Sequence, residues 1–358
     1  MTELKKTLVI LSPGFPKDEA DSTCIPPQQV LVRNLKLQYP ELHIIVLAFE
    51  YPFYSGTYQW NHVSVISFGG ANKGGLIRLN NWRRVWATLL RLNKQYQLIG
   101  LLSFWMGDCA FVADKFAKKH NLKHLCWILG QDARPGNKYF RWTKPKAERL
   151  IALSDFIANA VKSNYSIMPA YVVPVGVDPT LFGKPSKKRD IDILGVGSLI
   201  PLKLYSLLIN IVGTLHKYFP DIRAVICGDG PEQHLLEMLI KDCRLEKNIE
   251  MVGELPHTEV LALMQRTRIL VHPSSYEGLG MVCLEALYAG TRVVSFVKPM
   301  DKPVKDWHFA KSPDDMVHII KKLLEDPFCN QENSVPFVVK DTCESIMRLF
   351  DYNPAAIS

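Results

Sequence analysis

The chain has 358 residues, 47% of them hydrophobic and 22% charged, with a formal net charge of +8. That length suggests two domains, and this balance of apolar and charged residues excludes disorder as the main state. The longest near-apolar stretch, 98–107, is far short of the roughly 18 residues that cross a bilayer. No basic–apolar–small leader precedes the strand-length run Thr7–Leu11, so a protein that stays on the cytoplasmic side is expected. Eight cysteines are scattered with no C-x-x-C pair, which favours buried reduced thiols over a disulfide or metal framework.

In chain order, the first half alternates short aliphatic runs with helical stretches. Strands are expected at Thr7–Ser12, Leu42–Phe49, Leu98–Phe104 and His124–Leu129, and helices at Pro27–Gln38, Trp82–Asn93 and Cys109–His120. Such alternation implies crossover units and a parallel sheet, with ligands at the carboxyl ends of the strands. Up to Thr180 the chain carries 22 lysines and arginines against 12 aspartates and glutamates; beyond it, 21 against 23. The positive excess belongs to the first half, which suggests an anionic partner there.

The basic character is sharpest over 75–96. Leu79, Trp82, Val85, Trp86, Leu89 and Leu90 recur at helical spacing, among Arg78, Arg83, Arg84, Arg91 and Lys94. Tryptophan and arginine on one amphipathic helix suit the headgroup layer of an anionic membrane. The same stripe also suits a helix packed on its own sheet with solvated arginines. Nucleic acid is not expected, because no binding motif accompanies the charge.

Between Tyr171 and Arg189 the character changes: a stiff connector, Val172–Pro179, leads into an exposed linker, 184–189. A second α/β series follows, with strands expected at Ile191–Val196, Arg223–Cys227, Ile249–Val252, Arg268–Val271 and Arg292–Phe296. Its helices are expected to start near Pro201, Pro231, His257, Gly280 and Pro313.

Three strand-end stretches of this series carry chemistry. Gly195–Lys203 combines a glycine turn with Lys203, expected in the first turn of a proline-opened helix, where a cation and free N–H groups suit phosphate. Cys227–Glu232 repeats the strand, glycine turn and proline. His272–Leu287 holds two glutamates, Glu277 on a loop and Glu285 within an otherwise apolar helix. A carboxylate in that setting needs partners, and ligand hydroxyls are good ones. Taken singly, Glu277 also reads as a helix-start carboxylate and Glu285 as a salt-bridged surface residue.

In this order, the three stretches resemble the family-4-like retaining glycosyltransferases of the two-Rossmann-domain (GT-B) class. The resemblance is strong over roughly 190–300 and weak elsewhere, through Ile151–Ser154 and Pro174–Asp178. It implies two Rossmann-like domains facing across a cleft: an acceptor domain of 1–178 and a nucleotide-sugar donor domain of 179–337, with 338–358 packing back on the first. By resemblance Glu277 meets the donor sugar, Glu285 the nucleotide ribose and Lys203 the diphosphate, which makes Lys203 and Glu277 the expected catalytic pair. Gly14, Ser198, Gly230, Gly278, Leu279, Gly280 and Met281 complete the expected donor set. Retention of anomeric configuration is implied as well.

The sequence departs from the family at three places. Ser198 stands where an arginine is usual, the paired glycines after the first strand reduce to Gly14, and Leu129-Gly130-Gln131-Asp132 lacks the usual first-lobe histidine. Asp108, Gln131 and Asp132 are the acceptor-side candidates. Asp190-Ile191-Asp192 begins a strand, remote from the expected site, so it reads as structural and catalysis as metal-free, with no cofactor beyond the donor. UDP is favoured over GDP as the nucleotide. A glycan or lipid-linked acceptor at the inner face of a membrane fits the basic first half. A nucleotide-sugar epimerase and a catalytically silent nucleotide-sugar or lipid-binding protein remain the alternatives. A dinucleotide dehydrogenase is disfavoured, because no complete G-x-G-x-x-G follows a strand.

Overall fold

The structure is a computed structural model that describes residues 4–184, 188–326, 334 and 336–353. It divides into two compact units, one formed by Met1–Val175 with Val339–Ser358 and the other by Gly176–Val338. Residues 185–187 of the linker expected at 184–189, and Cys329, lie outside the described residues. The described cysteines form no disulfide.

The first unit contains β1 (Lys6–Gly14), α1 (Pro26–Gln38), β2 (His43–Tyr51), β3 (Ser55–Trp60), β4 (Val63–Phe68), α2 (Gly75–Gln95), β5 (Gln97–Phe104) and α3 (Asp108–His120). It continues with β6 (His124–Ile128), α4 (Lys138–Thr143), β7 (Leu150–Ala152), α5 (Asp155–Tyr165) and β8 (Tyr171–Val172). Among the described residues its sheet runs β3-β4-β2-β1-β5-β6-β7-β8. The central strands are buried on both faces, as Leu8–Leu11 and Ile44–Phe49 show, because helices cover both sides of a parallel sheet.

The purely parallel expectation needs one correction. Strand β3 pairs antiparallel with β4. The two are joined by Asn61 and His62, both with positive φ (44° and 61°), a turn whose twist matches the flanking strands.

The second unit contains β9 (Ile191–Val196), α6 (Tyr205–His216), β10 (Ala224–Cys227), α7 (Gln233–Asp242), β11 (Ile249–Gly253) and α8 (His257–Gln265). Then come β12 (Thr267–His272), α9 (Met281–Tyr288), β13 (Arg292–Ser295), β14 (Trp307–Phe309) and α10 (Pro313–Glu325). Its described strands are all parallel, in the order β11-β10-β9-β12-β13-β14. Counted within the unit, that is the Rossmann order 3-2-1-4-5-6. The chain order reverses between β9 and β12, so the loops after these two strands part at the switch point where such sheets bind ligands.

The last helix, α11 (Val339–Leu349), belongs to the first unit. Thr342 Oγ1 donates to Pro174 O, and the Phe350 ring lies where a side chain on Gly100 would be.

The helix over 75–96 corrects the headgroup reading of its tryptophans. Trp82 packs on Phe111 with the rings tilted by 40° and Trp86 meets Phe116 edge-on, both rings packed against α3. Val85, Leu89 and Leu92 are buried beside them, so the stripe is core. What α2 leaves exposed is different: Leu76 (83%), Ile77 (52%) and Leu79 (49%) at its amino end, with Arg83, Arg91 and Lys94 further along.

Candidate active site

The second unit gathers its candidate residues on three glycine-bearing loops. After β9 the chain passes Gly197 and the exposed Ser198, then forms a single 3-10 turn, Pro201–Lys203. Leu204 adopts the left-handed conformation (φ 53°) and separates this turn from α6. Lys203 therefore ends a short turn instead of lying in the first turn of a helix, which corrects the expectation.

The loop after β10 presses directly on the first. A Cβ on Gly228 (φ +148°) would stand 2.0 Å from Gly197 O, a distance no side chain tolerates. Leu199 N donates to Asp229 O and Glu232 N donates to Leu199 O, so Gly230 is held beside Leu199.

The third loop follows β12. Ser275 N donates to Leu202 O at 3.2 Å, which ties it to the lysine turn. Lys203 Nζ then reaches Glu277 Oε2 at 2.6 Å, and His272 Nε2 lies 3.0 Å from the same oxygen. The other oxygen, Oε1, accepts from Gly278 N at 3.2 Å. Burial opposes ionisation of Glu277, but the His272 bond and the Lys203 charge override it and hold the pKa at about 2. His272, at the end of β12, has its own pKa lowered by burial; the Glu277 bond raises it and the Lys203 charge lowers it further. A neutral imidazole facing an ionised carboxylate must donate, so the proton sits on Nε2.

Gly278 and Leu279 lead to Gly280, which caps α9 in the left-handed region (φ 72°) without a side-chain cap. Glycine adopts this conformation without the steric cost that a side chain carries. Met281, Val282, Glu285 and Tyr288 share the less buried face of α9. Glu285 Oε1 lies 2.8 Å from His257 Nε2, the first residue of α8. Although burial works against it, this bond to Glu285 raises the His257 pKa. The second glutamate thus has an imidazole partner too.

Of the expected donor set, Ser198, Lys203, Gly230, Glu277, Gly278, Leu279, Gly280, Met281 and Glu285 all lie on these loops or on α9. Gly14 belongs to the other unit, where it ends β1 against Tyr51. Sequence reasoning assigned no role to His272 or His257. Position at a strand end was the available signal for His272; for His257, 28 residues before Glu285, there was none.

The Asp-x-Asp pair is bound up in the fold. Asp190 accepts both Arg266 Nε (2.9 Å) and Nη2, and Asp192 accepts Arg268 Nη1 (3.0 Å) and Arg223 N. Among the described residues, no cluster of three or more His, Cys, Asp or Glu side chains could hold a metal.

In the first unit a cavity of about 250 Å³ opens at the carboxyl ends of β1, β2 and β5, the switch point of that sheet. Glu50, Arg78, Asp108, Trp105 and Tyr139 line it. Asp108 accepts from the Tyr139 hydroxyl. Arg78 Nε is buried with no partner among the described residues, and Trp105 has φ 60°, a strained conformation for a large side chain.

The three acceptor-side candidates separate here. Asp108 faces the cavity and Gln131 is exposed on a 3-10 turn. Asp132 is buried and accepts from Met106 N (2.8 Å), Gly130 N (2.9 Å) and Leu129 N (3.2 Å). Burial raises its pKa to about 6 against those bonds. Its carboxylate is engaged in shaping the loop.

Residues 178–335 match the family model described as glycosyl transferases group 1. Among curated relatives, the gpi3 subunit of phosphatidylinositol N-acetylglucosaminyltransferase from Schizosaccharomyces pombe is 30% identical over 168 residues, 44% of this chain and 36% of that protein. Glycogen synthase of Mycobacterium tuberculosis is 28% identical over 178 residues, 48% of this chain and 43% of the relative. These matches span less than half the length of either relative. The crystal structure of Anabaena HepE in complex with UDP and glucose superposes with a TM-score of 0.67 at 17% identity, covering 96% of this chain and 95% of that one. The resemblance to glycosyltransferases holds, and the fold is that of the two-Rossmann-domain class.

Proposed function

We propose that the protein transfers a sugar from a nucleoside diphosphate to a hydroxyl of a glycan or lipid-linked acceptor, with retention of anomeric configuration. One observation carries this reading: Lys203, Glu277 and Glu285, with the uncapped start of α9, all belong to the loops and helix at the switch point of the second unit. Relatives named as a glycogen synthase and as part of an N-acetylglucosaminyltransferase support it. UDP in the Anabaena structure supports the nucleotide preference.

Departure of the diphosphate develops negative charge, and stabilising that charge is the main electrostatic task. Lys203 supplies the ammonium, the N–H groups of Gly280 and Met281 supply dipoles, and the Ser198 hydroxyl stands where an arginine is usual. Glu277 orients the sugar through its hydroxyls and Glu285 fixes the ribose, both by position. The Asp-x-Asp carboxylates are already neutralised by arginines, so the chemistry is read as metal-free.

On the acceptor side, the first-unit cavity supports Asp108, with Glu50 and Arg78 beside it, as the polar contacts for a hydroxyl-rich group. The exposed Leu76, Ile77 and Leu79 with the arginines and lysine of α2 support a peripheral site on an anionic membrane. No described helix is long and apolar enough to cross a membrane.

Incubation with labelled UDP- and GDP-sugars and candidate acceptors tests the reading. Acceptor-dependent release of nucleotide is the expected result. Acceptor-free isomerisation of the sugar would make the protein an epimerase, and tight binding without turnover a silent binder.

A further inference from the structure

One carboxylate oxygen, Glu277 Oε2, is engaged by two donors, Lys203 Nζ at 2.6 Å and His272 Nε2 at 3.0 Å. The two differ in rigidity. Lys203 reaches across on a flexible four-carbon stem from a short turn, whereas His272 ends a central strand with its side chain 5% exposed. On the donor reading above, on which this inference rests, Lys203 must also meet the diphosphate. Two phosphates attract an ammonium more strongly than one carboxylate does, so its hold on Glu277 weakens as the donor arrives. Glu277 sits on a loop beside the exposed Ser275 and would then lose its orientation unless a second group held it.

We propose that His272 is a positioning residue: its Nε2–H keeps Glu277 Oε2 fixed while Lys203 turns to the diphosphate, and Oε1 is left to face the hydroxyls of the donor sugar. Oε1 suits that role because the bond it accepts among the described residues, from Gly278 N, is long at 3.2 Å. The imidazole acts through Glu277 and needs no contact with the donor.

The test compares His272→Phe, which keeps a ring but removes the N–H, with His272→Gln, whose amide nitrogen falls near the lost Nε2. Binding of UDP and GDP is measured calorimetrically, alongside binding and turnover of UDP-glucose, UDP-N-acetylglucosamine and GDP-mannose. In the phenylalanine variant, bare diphosphate should bind within twofold of wild type. The extra affinity due to the sugar, and kcat, should fall about tenfold to a hundredfold, as for one charge-assisted hydrogen bond. Glutamine should restore both to within threefold of wild type.

If the phenylalanine variant does not fold, His272→Asn replaces it, since its amide is one methylene too short and should fail where glutamine succeeds. Equal loss for bare diphosphate and nucleotide sugar, or no loss, overturns the positioning role, as does a glutamine variant as poor as the others. Failure of wild type to bind any of these probes overturns the donor reading itself, a distinct result.

Discussion

Lys203 and Glu277 meet at 2.6 Å across the loops that follow β9 and β12, with side chains only 19% and 24% exposed. Without His272 and Lys203, a carboxylate as buried as Glu277 would resist ionisation; with them it stays charged far into acid. The ammonium is therefore already held at the strand ends before any ligand arrives.

Lys203→Ala removes the cation and leaves Glu277 Oε2 to His272. Binding of the donor diphosphate should weaken by about 2–5 kcal/mol, as for one partner lost from a buried charge pair. Calorimetric titration with UDP and GDP measures this, and near-normal affinity in the variant would refute the phosphate assignment.

The depressed Glu277 pKa sets an acid limit. A carboxylate whose folded pKa lies below its unfolded value contributes stability that is present above the unfolded value, ordinarily near 4.5 here, and lost as pH falls through about 2. Asp132 has the opposite sign. Its raised pKa of about 6 favours the folded state below its ordinary value of 3.8, and that contribution disappears as pH rises through 6. Carbon-detected NMR of the two carboxyls should find Asp132 titrating near 6 and Glu277 still ionised at pH 4. A reversed order would refute both environments.

Gly228→Ala forces a Cβ into Gly197 O. Unlike a surface change, it should destabilise the second unit by about 1–3 kcal/mol through strain, measured by urea unfolding, and weaken UDP binding with it. An alanine variant as stable as wild type would mean that the two loops part freely.

Asp190→Asn disturbs the arginine pairs at the amino end of β9, far along the strand from Lys203. Because Arg266 is 43% exposed, the stability loss should be no more than about 1 kcal/mol. Turnover should be unchanged by this variant and by added EDTA. Loss of activity on chelation would restore a metal role.

On α2, Trp86→Ala should lower stability by about 2 kcal/mol, since its half-buried ring packs on Phe116. Liposome binding by whatever variant remains folded should be unchanged. Leu76→Asp should do the reverse, sparing stability and reducing sedimentation with anionic vesicles. Equal liposome binding by both variants would remove α2 from the membrane reading.

Much of the donor side was legible because glycine and proline punctuate it: Gly195–Pro201, Gly228–Pro231 and Gly278–Gly280 mark where strands end and backbone turns. The remainder depended on distances that sequence does not carry. Nothing local distinguishes a Trp82 turned to Phe111 from one turned to solvent, since both satisfy the same helical period. The Asn61-His62 turn was missed because it lacks the glycine that marks most two-residue hairpin turns. The left-handed Leu204, which detaches Lys203 from α6, likewise contradicts its own local preference. The imidazole partners of the two glutamates emerge only once β12 and α8 are in place.

Titration of UDP into wild type, Lys203→Ala and Glu285→Ala is the most direct measurement. Saturable binding by wild type, weakened at least tenfold in each variant, is the expected result. Absence of UDP and GDP binding in wild type, or affinity indifferent to both substitutions, would mean that these strand-end loops hold no nucleotide.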